Sequence, residues 1–195
     1  MDSKLSWRAH CEQLASSLNS TTYLLRRLTE KLSKTAVLSA YFAVFQSKAT
    51  YCILCWGHST HSDLIFRSQR KAVRAVAGIP YRNDCREAFI KLEIMTIPAL
   101  YIFECLVYVH RNMFEFSRPT HTHNTKSADS LVIPFSRLNA SRNSTKWWGI
   151  KFFNALPSYL RDENHAIFRH SCKELLTQIV PYSFDDYFDF VRCYL

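Results

Sequence analysis

Residues 64–80 read LIFRSQRKAVRAVAGIP, and this stretch decides the fold class. Arg67, Arg70, Lys71 and Arg74 fall at i, i+3, i+4 and i+7, a spacing that gathers four cations on one side of a helix. Ile65, Phe66, Ala72, Val73 and Val76 cover much of the rest with apolar side chains. Asp63 is placed to cap the start, Gly78 to close the end in the left-handed conformation, and Pro80 to forbid continuation. The segment is therefore expected to be a short helix, packed on one face and basic on the other. That basic face has two readings, a solvated surface or a surface that neutralises phosphates.

Working outward, the same 3.6-residue period recurs along most of the chain. Trp7, Cys11, Leu14 and Leu18 make one stripe; Leu25, Leu28 and Leu32 make another, with Arg26, Arg27, Lys31 and Lys34 beside it as a second basic group. Residues 35–56 are long, apolar and rich in aromatics, and Gly57 is expected to end that helix. Asp84 and Glu87 form a D-x-x-E capping box, and Thr96-Ile97-Pro98 opens the next helix. Phe168, Cys172, Leu175, Leu176 and Ile179 give a clean late stripe that Pro181 stops. The expected fold is all-α: a helical array over 1–116, a long exposed basic loop over 117–146, and a helical segment with an aromatic and acidic tail over 147–195. Short strands are allowed for at 131–135 and in the tail.

Composition bounds the function. The chain has 195 residues, 48% hydrophobic and 14% aromatic, enough to bury a core. Three glycines are too few for a sandwich full of tight turns or for a phosphate-cradling loop. Lys and Arg outnumber Asp and Glu by 25 to 16, a net charge of +9 that fits a polyanionic partner or a merely basic surface. Seven cysteines at irregular spacing suit reduced, buried thiols and not a disulfide framework. No signal peptide or membrane-spanning run is visible, so the chain is expected to be soluble and cytoplasmic or nuclear.

The motifs for chemistry are sparse. Cys52, Cys55, His58 and His61 form C-x-x-C-x-x-H-x-x-H, but all four lie within ten residues and straddle an expected helix end. Two packed cysteines and two loop histidines explain them without a metal. His121 and His123 sit in the polar loop. Asp185-Asp186 follows Phe184 directly, without the intervening residue of a polymerase aspartate box, and is expected to be an acidic tail. No catalytic residue is assigned, and no nucleophile elbow, P-loop or H-E-x-x-H is present.

Six segments, taken together and in order, carry a family resemblance. KLSWRAHCEQLASSLNSTTYLLRRL (4–28), YFAVFQSKATYCILCWG (41–57), RSQRKAVRAVAG (67–78), YRNDCREAFIKLEIMTIPALYIFECLVYVHRN (81–112), WWGIKFFNALPSYLR (147–161) and the last stripe from Phe168 follow one another. They resemble the C-terminal region of reverse transcriptases from non-LTR (LINE-type) retrotransposons, especially jockey-like elements. The third resembles L-Q-K-K-A-I-R-x-I-x-G, the fourth S-C-R-x-x-F…I-L-T-L-P-x-L-Y-I-x-E, and the fifth x-G-x-K-L-Y-N-x-L-P. The resemblance implies a polymerase thumb and the helices beyond it, an RNA-directed DNA polymerase region whose fingers and palm, with the catalytic aspartates, lie upstream.

Nothing catalytic carries over to a position in this chain. Magnesium is implied only for that palm, and no cofactor for these residues. The expected partners are the backbone of an RNA or DNA duplex and the fingers–palm region, with no membrane and no small-molecule substrate. The contact residues are Arg67, Arg70, Lys71 and Arg74, with Arg26, Arg27, Lys31 and Lys34. The alternative is a helical protein–protein interaction module derived from a transposon relic. In either case some aromatics are expected at the surface.

Overall fold

A computed structural model describes residues 6–116, 130–135, 137 and 144–194. Helix α1, Arg8–Thr29, joins the first two apolar stripes into one continuous element, and Cys11, Leu18 and Leu25 line its buried side. Leu32 and Lys31 fall in the turn after it, and Leu32 is exposed. Helix α2 is capped by the Ser33 hydroxyl, which accepts from the Ala36 N–H. It runs as Lys34–Ala40, a π-helical stretch Tyr41–Gln46, and Ser47–Thr50. The wider π turns rephase the helix, and Tyr41 and Phe45 stack, both fully buried, with centroids 5.2 Å apart.

The expected helix over 35–56 does not run to Gly57. It breaks at Tyr51 and Cys52, where Cys52 adopts φ 51°, and restarts as α3, Ile53–Trp56. The indole N–H of buried Trp56 donates to the Tyr51 carbonyl at 3.0 Å, which holds the break. Gly57 keeps a helical φ of −61° and serves another purpose. A Cβ there would collide with the Tyr101 ring, so the glycine lets two backbones approach.

Helix α4, Ser62–Ala77, is the basic helix. Gly78 closes it at φ 70°, with its N–H and that of Ile79 returning to Ala75 and Arg74 carbonyls, as expected. The start differs: His61 is the N-cap residue, and Asp63 lies inside the first turn, paired with Arg67. Helix α5, Arg86–Lys91, also departs from the expected box. Asp84 accepts from the adjacent Cys85 N–H at 2.8 Å, while Glu87 pairs with Lys91, so neither closes a reciprocal cap.

Helix α6, Ile97–Arg111, begins as expected, with the Thr96 hydroxyl accepting from the Ala99 N–H and Pro98 in the first turn. It is apolar nearly all round, which places it at the centre of the core. Helices α3 and α4 pack on it from one side of the sequence; α7, Thr145–Ala155, and α9, His165–Ile179, pack from the other. A single turn, α8 (Ser158–Arg161), links the latter two.

No strand occurs among the described residues. The apolar run at 131–135 pairs instead with a side chain: the Asn154 amide accepts from Leu131 N–H and donates to Leu131 C=O, both at 2.8 Å. The tail is helix α10, Phe184–Tyr194. Phe184, Tyr187, Phe188 and Val191 form its inward stripe at i, i+3, i+4 and i+7. Its start is capped reciprocally, the Asp186 N–H on Ser183 Oγ at 3.1 Å and the Tyr182 N–H on Asp186 Oδ2 at 3.0 Å. Most of the expected loop over 117–146 lies outside the described residues, and helix α7 begins inside its boundary, at Thr145.

Candidate nucleic-acid interface

The eight candidate cations separate into groups with different surroundings. Arg67 is exposed but tied to Asp63 at 2.5 Å, one turn back on the same helix. Arg27 is likewise paired with Glu30 at 3.2 Å. Such exposed pairs are worth about 0–1 kcal/mol, so a phosphate could displace either partner. Lys31 is exposed in the turn after α1. Arg70 turns inward, its guanidinium 5.0 Å from the Phe66 ring and 5.8 Å from that of Tyr182. It serves packing between α4 and the segment before α10.

Arg26, Lys71 and Arg74 come together. With Tyr81, Ala75, Gly78 and Ile79 they line one open groove of 270 Å³ beside the end of α4. Two basic groups about 45 residues apart in sequence meet there because α1 and α4 pack along their lengths. Arg74 is held in place: its Nε donates to the Asn83 carbonyl at 2.9 Å, and its guanidinium lies 5.9 Å from the Tyr81 ring. Among the described residues no acid pairs with Arg26 or Lys71. Lys34 lines two hollows on the adjoining side of the same helix end, one of 340 Å³ and one of 590 Å³. Asp84 and Glu87 share the larger one and dilute its charge.

The end of α4 also presents the negative pole of the helix, equivalent to about half a charge. The cations exceed it, so the groove carries a net positive field. Tyr81, 68% exposed, adds an aromatic face to it. Sequence reasoning missed Tyr81, although an aromatic directly after G-I-P is a legible sign of a residue displayed at a helix end.

The other motifs are accounted for structurally. Cys52 and Cys55 are exposed and not packed, because Ile53 and Trp56 take the buried side of the short helix. The His61 ring faces the Ser59 and Thr60 hydroxyls. The half-buried His58 ring lies against Tyr101, and burial lowers its pKa. No group of three or more His, Cys, Asp or Glu among the described residues is arranged to hold a metal ion. Asp186 pairs with Arg86 at 3.2 Å. Burial alone would raise its pKa, but hydrogen bonds from Ser183 and the Tyr182 N–H, with the Arg86 charge, hold it below the usual carboxylate value. It is a helix cap, and no catalytic role is needed to explain it. His121 and His123 lie outside the described residues. No helix among the described residues is long and apolar enough to cross a membrane.

Compared with known protein families, with curated proteins and with solved structures, the chain matches none of them.

Proposed function

We propose that this chain is a thumb and downstream helical region of a non-LTR retrotransposon reverse transcriptase, and that it grips a primer–template duplex by its backbone without catalysing synthesis itself. The observation that carries the binding half is the shared groove of Arg26, Lys71 and Arg74. The six sequence segments in family order support the rest. A groove whose charged side chains are all cations suits phosphates, and backbone binding of that kind should be independent of sequence and steeply salt-dependent. Exposed Phe114 and Phe135, 84% and 85% accessible, favour a second reading as a protein-interaction module.

Fluorescence anisotropy with a labelled RNA–DNA primer–template separates the two. The plot of log K against log salt should have a negative slope, and Arg26→Glu with Lys71→Glu should flatten it by about 2 units. Glu93→Lys, at a residue that lines a different hollow, should leave the slope unchanged. No binding at low salt, or binding indifferent to the reversed charges, would overturn the duplex-gripping role and favour the interaction module.

A further inference from the structure

The break between α2 and α3 displays two thiols on a turn whose geometry is already set. The Cys55 N–H donates to the Cys52 carbonyl at 2.9 Å. That hydrogen bond from residue i+3 to residue i defines a tight turn, with the two Cα atoms within about 7 Å. A disulfide requires Cα atoms about 4.4–6.8 Å apart, so the closure needs side-chain rotation and little backbone movement. Both thiols are exposed, whereas Cys11, Cys85, Cys105 and Cys172 are buried.

The surrounding contacts fix this turn. Ile53 and Trp56, between and beside the cysteines, are buried, and Trp56 is bonded back to the Tyr51 carbonyl. The Leu54 carbonyl accepts from the Thr145 hydroxyl at the start of α7. Gly57 then packs against the Tyr101 ring. Fold contacts on the inner side thus hold the outer side in position.

We propose that Cys52 and Cys55 are a surface dithiol that closes reversibly to an intramolecular disulfide by exchange with a low-molecular-weight disulfide. One cysteine thiolate attacks a sulfur of the small disulfide, forms a mixed disulfide and releases one small thiol. The second cysteine thiolate attacks the protein sulfur of that mixed disulfide, closes the Cys52–Cys55 bond and releases a second small thiol. Two electrons pass from the protein to the small disulfide, and the two thiol protons end on the two small thiols. The second step is intramolecular across a preset turn, so the mixed disulfide resolves instead of accumulating. Cys193, exposed on α10 at the other end of the chain, is not a partner in that turn.

Mass spectrometry of the intact chain after treatment with oxidised glutathione tests this. Residual thiols are blocked with iodoacetamide before digestion with trypsin. Peptide 49–67 contains Cys52 and Cys55 and no other cysteine. It should come out about 2 Da lighter than the dithiol form, without alkyl groups, and dithiothreitol should restore both alkylation sites. In Cys52→Ser the same peptide should instead retain glutathione on Cys55, and in Cys55→Ser on Cys52. Circular dichroism of both variants checks that their helices persist. Wild-type peptide bearing glutathione or alkyl groups on both cysteines, with no loss of mass, would overturn the proposal.

Discussion

Gln69 holds together more of the molecule than any charged residue on its helix. Its amide donates to the Tyr41 hydroxyl at 3.0 Å and to the Met95 carbonyl at 2.9 Å, and accepts from the Ile97 N–H at 2.8 Å. It is fully buried, so each of these groups would be stranded without it. One step along the chain, the buried Thr96 hydroxyl donates to the Pro181 carbonyl at 2.5 Å, which extends the network to the C-terminal part. Leaving a buried donor or acceptor unpaired costs about 1–3 kcal/mol. Gln69→Met keeps the volume but strands those groups and should lower unfolding stability by about 3–5 kcal/mol, read as a drop in the urea midpoint. Arg67→Met, two residues away and exposed, should change it by less than about 1 kcal/mol. The signal was in the sequence: Gln69 stands on the apolar stripe, four residues after Ile65 and four before Val73. A polar residue there marks either a misfit or a buried network, and only the fold decides which.

At the scale of elements, punctuation was legible and phase was not. Gly78 and Thr96-Ile97-Pro98 mark helix ends by backbone chemistry that acts locally, and both stand where the pattern placed them. The break at Tyr51–Cys52 has neither glycine nor proline, because tertiary packing of Trp56 imposes it. The tail helix was obscured because alternating aromatics and acids resemble a strand, although its i, i+3, i+4, i+7 stripe was present. The row of four cations on α4 was correctly spaced, but the row could not say that Arg70 faces inward while Lys71 and Arg74 line a groove with Arg26. Those directions depend on which helices pack alongside.

The junction of α6 and α9 carries a pH dependence of its own. The His110 ring stacks on Phe168 at 4.1 Å, its Nε2 lies 3.1 Å from the Glu163 carbonyl, and its Nδ1 lies 3.2 Å from His165 Nδ1. Burial lowers the His110 pKa and the facing His165 adds to this, while the Glu163 contacts oppose it. A histidine whose folded pKa lies below its unfolded value stabilises fully above the unfolded value. That contribution is lost as pH falls through the folded one. The urea midpoint should therefore drop as pH falls below the ordinary histidine value of about 6.5, and His110→Phe should reduce that drop. His58, also lowered by burial, contributes with the same sign and is controlled with His58→Phe. An unchanged pH profile in His110→Phe would show that this junction does not titrate in that range.

For the whole molecule, the decisive fact is that one central helix carries packing partners from before and after it in the sequence. The buried cluster runs from Cys11 to Val191. Helix α6 meets α3 and α4 with residues that come before it and α7 and α9 with residues that come after it. Thr96 bonds Pro181, the Tyr187 hydroxyl donates to the Phe152 carbonyl at 3.0 Å, and Arg86 pairs with Asp186. A core divided this way offers neither part a closed hydrophobic surface. Stripping α6 of its neighbours would uncover Tyr101, Phe103 and Leu106, all buried now. At about 1.5–3 kcal/mol for each fully buried large apolar side chain, that cost approaches the whole stability of a domain. Unfolding should then be a single cooperative transition. Two variants test it, each with one indole: Trp56 against the N-terminal helices, or Trp148 on α7, the other tryptophans replaced by Phe. In each variant the urea midpoint by fluorescence should agree with the midpoint from circular dichroism of that same variant. A Trp56 fluorescence midpoint below the circular dichroism midpoint of the same variant would show that the helices before α6 melt alone, and the shared-core account would fail.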